Sequence, residues 1–112
     1  MRGLKIQQGW LRIILSGEKT MEVRSRRYPL SGRIALGNSN NGLVEGYATI
    51  QEVIKIPFSE ISKYENQHRA TEWLKTHYPE RDFLWGFVLR GIVRKKKPFP
   101  YLKDSRMWFV LE

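Results

Sequence analysis

The stretch Gly17-Glu18-Lys19-Thr20-Met21-Glu22-Val23-Arg24 changes backbone habit partway along. Upstream of it, Trp10, Ile13 and Ile14 fall at i, i+3 and i+4, with Leu11 and Leu15 beside them, the spacing of a short amphipathic helix. Gly17 suits a left-handed cap that ends the helix. From Thr20 to Ser25 the pattern becomes that of a strand. Its two-residue period puts Thr20, Glu22, Arg24 and Arg26 on one face, and Met21 and Val23 on the other, toward a core. The polar face places a carboxylate two residues from a guanidinium, with an ammonium just before it. Arg24 can grip phosphate or carboxylate through two donors. Glu22 can orient Arg24 or accept protons from a base edge. Lys19 can neutralise a phosphate or, if desolvated, act as a base. The same spacing also fits an exposed strand whose charges pair only weakly.

Around this centre the elements are short. Leu4 and Ile6 indicate a first strand. A turn at Tyr28-Pro29-Leu30-Ser31-Gly32 precedes a strand from Arg33 to Leu36, and Asn38-Ser39-Asn40-Asn41-Gly42 forms a loop. The β-branched run from Val44 to Ile56 predicts a long bent strand, with a bulge at Gly46. Ser59 is placed to cap one short helix. Asn66 is placed to cap a second, with Ala70, Trp73, Leu74 and His77 on one side and Pro79 ending it. Phe83 to Val93 and Met107 to Leu111 are further strands. Short strands with inserted helices suit a small mixed barrel or strongly curled sheet better than a parallel α/β fold.

The chain has 112 residues, which fits one domain spanning 1–112. It has no cysteine, so disulfides and cysteine metal sites are excluded. His68 and His77 lack a second metal ligand at useful spacing and are expected at the surface or in helix packing. No metal and no cofactor is implied. No apolar run approaches a membrane span, and Met1 to Ile6 lacks the features of a signal peptide, so a soluble cytoplasmic protein without membrane partners is expected. The oligomeric state is open.

The formal charge of +9 is unevenly spread. Residues 1–36 hold eight basic and two acidic side chains, residues 45–82 five and seven, and residues 83–112 seven and two. If the two basic ends meet, they make one face that attracts polyanions and releases their counterions. Arg26-Arg27-Tyr28 joins cations to an aromatic ring. So does Arg94-Lys95-Lys96-Lys97 with Phe99 and Tyr101, held extended by Pro98 and Pro100. Such pairings suit single strands, where cations follow phosphates and rings stack on bases. Candidate nucleic-acid contacts are therefore Lys19, Glu22, Arg24, Arg26, Arg27, Tyr28, Lys95, Lys96, Lys97 and Tyr101. Trp73, Trp85 and Trp108 are expected mainly in the core.

Gly17-x-Lys19-x-x-Glu22-x-Arg24 resembles the G-x-K-x-x-E-x-R signature of the ASCH family, in the PUA-like superfamily. The resemblance extends along the chain. Gln8-Gly9-Trp10 through Ser16 matches the Trp-containing helix before the motif, although many relatives have His-Pro or Gln-Pro where Gln8-Gly9 stands. Gly32-Arg33-Ile34-Ala35, Leu84-Trp85-Gly86-Phe87, Lys97-Pro98-Phe99-Pro100-Tyr101 and Met107-Trp108 follow in the family's order. The chain is similar to the small stand-alone bacterial or phage-type members. This resemblance implies an α+β fold, a PUA-like mixed β-barrel flanked by short helices, with the motif lining a cleft that holds RNA, other single-stranded nucleic acid, or a nucleoside or nucleotide. It also implies an alternative, because some relatives are hydrolases. One branch resembles an N4-acylcytidine amidohydrolase that uses a Lys, a Thr nucleophile and a Glu, and others resemble ribonucleases. Under that alternative Lys19 and Glu22 would be the catalytic candidates. Glu22 stands where the Thr is needed, and the third residue would be Glu65 or Glu72.

Overall fold

In a computed structural model, which describes residues 1–111, the chain forms one six-stranded sheet with short helices. The strands are β1 (Arg2–Ile6), β2 (Met21–Arg24), β3 (Gly32–Asn38), β4 (Leu43–Pro57), β5 (Phe83–Pro100) and β6 (Trp108–Val110). The helices are α1 (Gln8–Leu15), α2 (Glu65–His68) and α3 (Thr71–His77), and a 3-10 helix spans Phe58–Tyr64. The strand order is β2-β5-β4-β3-β1-β6. Only β1 and β3 run parallel, so the sheet is mixed and the class α+β. The hydrogen-bonded ladder does not close: β2 and β6 are its edges, so an open, bent sheet stands where a barrel was expected.

The bending follows from the β4–β5 ribbon. Its register shifts at Val44/Gly46, Tyr47/Thr49 and Ile50/Glu52. Bulges increase local twist and let one long strand turn a corner. Gly46 sits at the first shift as anticipated. A Cβ there would lie 2.5 Å from the Val93 carbonyl oxygen, so no side chain fits. β5 continues past Val93 to Pro100, which puts Arg94 to Lys97 inside the sheet.

α1 forms where its apolar stripe predicts it, burying Leu11 and Ile14 against the sheet. Its first turn has no cap from Gln7. Asn40 supplies one across the fold, its Oδ1 accepting from the Gln8 N–H at 2.8 Å. Gly17 ends the helix with φ +88°.

The helix expected from Asn66 is instead broken in two. Arg69 takes φ +60°, and the chain restarts as α3 at Thr71. Two side chains stabilise the break. The Ala70 N–H donates to His68 Nδ1 at 2.9 Å, and the Thr71 N–H donates to Glu65 Oε1 at 3.0 Å. These acceptors take the place of helical carbonyls. The element that Ser59 was expected to cap is a 3-10 helix whose N-cap is Pro57; Ser59 lies inside its first turn and caps nothing. Met21, Val23, Ile56, Ile61, Leu74 and Leu84 form the core beneath the helical insertion. No helix among the described residues is long and apolar enough to cross a membrane.

Candidate functional site

β2 pairs on one side only, with β5. Met21 and Val23 enter the core as alternation requires. The opposite face was expected to be open, yet Glu22 and Arg24 are buried as well, at 6% and 8% exposure, and Lys19 is 1% exposed. Two neighbouring elements close over them. The carbonyl of Lys5, in β1, accepts from Arg24 Nη2 at 2.7 Å. The carbonyl of His68, at the end of α2, accepts from Lys19 Nζ.

Within this enclosure the three charges form one unit. Arg24 Nε and Nη2 both donate to Glu22 Oε2, at 3.0 and 2.7 Å. Lys19 Nζ lies 3.4 Å from Glu22 Oε1. Burial pushes the Glu22 carboxyl up, but the adjacent charges of Arg24 and Lys19 outweigh it and hold Glu22 below the ordinary carboxylate range. Burial also opposes the charge on Arg24, and Glu22 outweighs it there too, leaving Arg24 raised. At Lys19 burial wins: its ammonium is held below the usual lysine value despite Glu22. Two cations share one anion, so the cluster carries one uncompensated positive charge.

His68 sets the position of Lys19 through its own backbone. Its ring is fully buried. Because Nδ1 accepts from Ala70, the proton resides on Nε2, which donates to the Ile61 carbonyl at 2.8 Å. Burial lowers the pKa of His68, and the Lys19 charge adds to that. Of the two places expected for it, surface or helix packing, His68 takes the second, locking the α2–α3 break from within.

The triad forms the floor of a cleft of about 210 Å³. Trp10, Tyr28, Trp73 and Tyr78 supply aromatic walls, and Lys5 and Met107 border it. Lys19 Nζ lies 5.0 Å from the Trp10 ring centre, within cation–π range. The Trp10 and Trp73 rings meet edge to face, 6.0 Å apart at 79°. Trp73 is 36% exposed, which corrects its expected place in the core. Lys5 Nζ is held by Asp104 Oδ1 at 3.0 Å, and Arg106 shares the same carboxylate through Oδ2 at 2.8 Å.

The other sequence-predicted residues divide. Tyr28 joins Lys19, Glu22 and Arg24 at the cleft. Arg26 and Arg27 are exposed just beyond β2, with Arg27 lying 5.6 Å from the Trp85 ring centre. Lys95, Lys96 and Lys97 lie on β5 and do not line the cleft. Lys96 and Lys97 are exposed, and Lys95 is 5.5 Å from the Phe99 ring centre. Tyr101 is unsuited to base stacking: it is buried, stacked on Phe109 at 4.3 Å, and donates its hydroxyl to the Asn38 carbonyl at 3.0 Å. The Glu65 carboxylate serves the helix break, and neither Glu65 nor Glu72 lines the cleft. Among the described residues no group of three His, Asp or Glu side chains is placed to hold a metal ion.

Sequence reasoning missed Trp10, Trp73, Tyr78 and Lys5 as cleft residues. Trp10 alone carried a signal: it lies on the helix leading into the motif, at a half-buried position of its stripe.

The family model of the ASCH domain matches residues 4–109. A search of curated protein sequences finds no match. Among solved structures, the chain resembles ASCH from Zymomonas mobilis, with 20% identity and a TM-score of 0.84, covering 99% of this chain and 87% of that one. A Tyr-to-Phe mutant of that protein is similar, with 19% identity, a TM-score of 0.83 and coverage of 99% and 89%. A Ser-to-Ala mutant gives 19%, 0.82, and 99% and 87%.

Proposed function

The chain belongs to the ASCH domain family, within the PUA-like superfamily, and on that premise we propose that its cleft holds one unstacked nucleotide of RNA, or a free nucleoside or nucleotide. The observation that carries this reading is the floor itself. An unmatched positive charge lies beneath aromatic walls in a cleft of about 210 Å³. That volume is below the roughly 300–1,000 Å³ of a drug-sized pocket, so it suits one ring system and excludes a helix. Aromatic walls take the faces of a base, as in recognition of single-stranded RNA. The excess positive charge favours an electron-rich edge or a phosphate oxygen. Lys19 and Arg24 meet the ligand at the floor. Arg26, Arg27 and the basic stretch of β5 attract the rest of a polyanion.

The test is fluorescence anisotropy with labelled single-stranded RNA at two salt concentrations, beside titrations with nucleosides and nucleotides. Tight binding that weakens with salt is the expected result. Absence of binding by both RNA and monomers at low salt would sink the proposal.

One observation favours a second reading, a small hydrolase acting on a modified nucleoside or on RNA. Lys19 is held below the usual lysine value by burial, which brings a lysine closer to base chemistry. Glu22, which stands where the amidohydrolase branch needs Thr, would orient Lys19 but cannot replace the hydroxyl nucleophile. A panel of acylated nucleosides and a labelled RNA, incubated with wild type and Lys19→Ala, separates the readings. Turnover lost in the variant supports the hydrolase; no turnover in either leaves the site to binding.

A further inference from the structure

The Trp10–Trp73 pair has two sides. One faces the cleft. The other borders a second, shallower groove of about 320 Å³, lined by Gln7, Gly9, Trp10, Ile13 and Trp73. Gln7, Trp10 and Trp73 line both spaces, so the groove continues the cleft around a shared aromatic wall. The groove lies beside α1, and Gly9 leaves it open: a Cβ at that position meets nothing within 4 Å.

We propose that this groove is a second subsite, holding the base next to the one in the cleft, so that the preferred ligand is single-stranded nucleic acid of at least two nucleotides. This inference rests on the nucleotide-holding reading of the cleft. The occupant is specified by three features. A mostly apolar groove with indole walls suits a planar ring, which need not be read by its edge. Trp10 and Trp73 line both spaces, which places the groove next to the cleft and suits two covalently joined, unstacked bases. The chain's formal charge of +9 favours a ligand with a phosphate link over a neutral two-ring molecule. The groove contains no charged side chain, so the contribution it makes is through the base and not through the phosphate.

The experiment measures affinities by calorimetry for the four ribonucleoside 5′-monophosphates, the four 5′-phosphorylated homodinucleotides, and dinucleotide analogues whose second unit is abasic. The best dinucleotide should bind on the order of tenfold more tightly than its monophosphate. The abasic analogue, which keeps the second phosphate, should lose that gain. Gly9→Leu should fill the groove and abolish the gain while leaving monophosphate affinity unchanged. The position is open, its φ is ordinary and leucine favours a helix more than glycine does, so the variant should fold. Dinucleotides that bind no better than monophosphates, or a gain that survives Gly9→Leu or loss of the second base, would overturn the subsite and leave the cleft proposal standing. Binding by neither monophosphates nor dinucleotides would overturn both.

Discussion

Two nitrogens of Arg24 end on the same carboxylate oxygen of Glu22, Oε2, at 3.0 and 2.7 Å. The other oxygen, Oε1, is left to Lys19 at a looser 3.4 Å. Glu22 is thus divided between a firm structural partner and a weaker one at the cleft.

The division makes Glu22 the residue whose loss should harm the fold most. Glu22→Ala leaves two buried cations without their anion. Breaking a buried pair from one side costs about 3–5 kcal/mol. Urea unfolding should show that loss. A cost below about 1 kcal/mol, the range of exposed pairs, would mean that the floor is effectively solvated.

Lys19→Met should separate binding from stability. It removes the excess positive charge and its desolvation cost, but orphans the His68 carbonyl, at about 1–3 kcal/mol. The variant should therefore be more stable than Glu22→Ala while losing affinity for RNA. Anisotropy and urea unfolding on both variants check the order. Equal stability loss would contradict the charge count.

Acid should weaken the fold in two stages. His68 has a lowered folded pKa, so the unfolded chain takes up its proton first. The stability from its neutral form is present above its ordinary 6.5 and is lost as pH falls from there toward the lowered folded value. Glu22 is also lowered, so its contribution is present above 4.5 and is lost as pH falls further, through its folded pKa. Thermal melts across this range should decline from about pH 6.5. Imidazole NMR should find the Nε2–H form of His68 at neutral pH. A His68 ring that titrates at its ordinary value would refute the first stage.

Trp73→Ala and Tyr101→Ala should give opposite phenotypes. Trp73 is exposed at the cleft, so its loss should weaken RNA binding by about 1–3 kcal/mol, the range for a stacked base, with the smaller effect on stability. Tyr101 is core, so its loss should cost several kcal/mol, about 3–5 by analogy with Phe→Ala, and spare affinity while the protein stays folded. Melting temperatures and anisotropy on each variant decide it.

Lys95, Lys96 and Lys97 should matter only for long ligands. Replacing each by Ala should reduce the salt slope of RNA binding by about 1 for every lysine that meets a phosphate, and leave monophosphate affinity unchanged. A fall in monophosphate affinity would place these residues' influence at the cleft, which they do not line.

The parts of this protein that were legible in its sequence are those determined by neighbours along the chain. The spacing of Trp10, Ile13 and Ile14 made α1, Gly17 adopted the left-handed cap, and alternation put Glu22 and Arg24 on one face of β2. These outcomes depend on backbone geometry within a few residues, which period and glycine report directly. Other features depended on what approaches from far along the chain. Burial of the Lys19–Glu22–Arg24 face needed the carbonyls of Lys5 and His68 to close over it. The helix break needed His68 and Glu65 to replace helical acceptors, which outweighed the simple periodicity from Asn66. Trp73 reached the cleft because Trp10, on a separate helix, met it there, and Tyr101 was withdrawn into the core by Phe109. The sequence by itself determined which residue types bear charge and which way each short element points them. Only the tertiary structure decided whether those charges stand in water or in an enclosed floor, because desolvation is set by every element that packs over a group and not by the element that carries it.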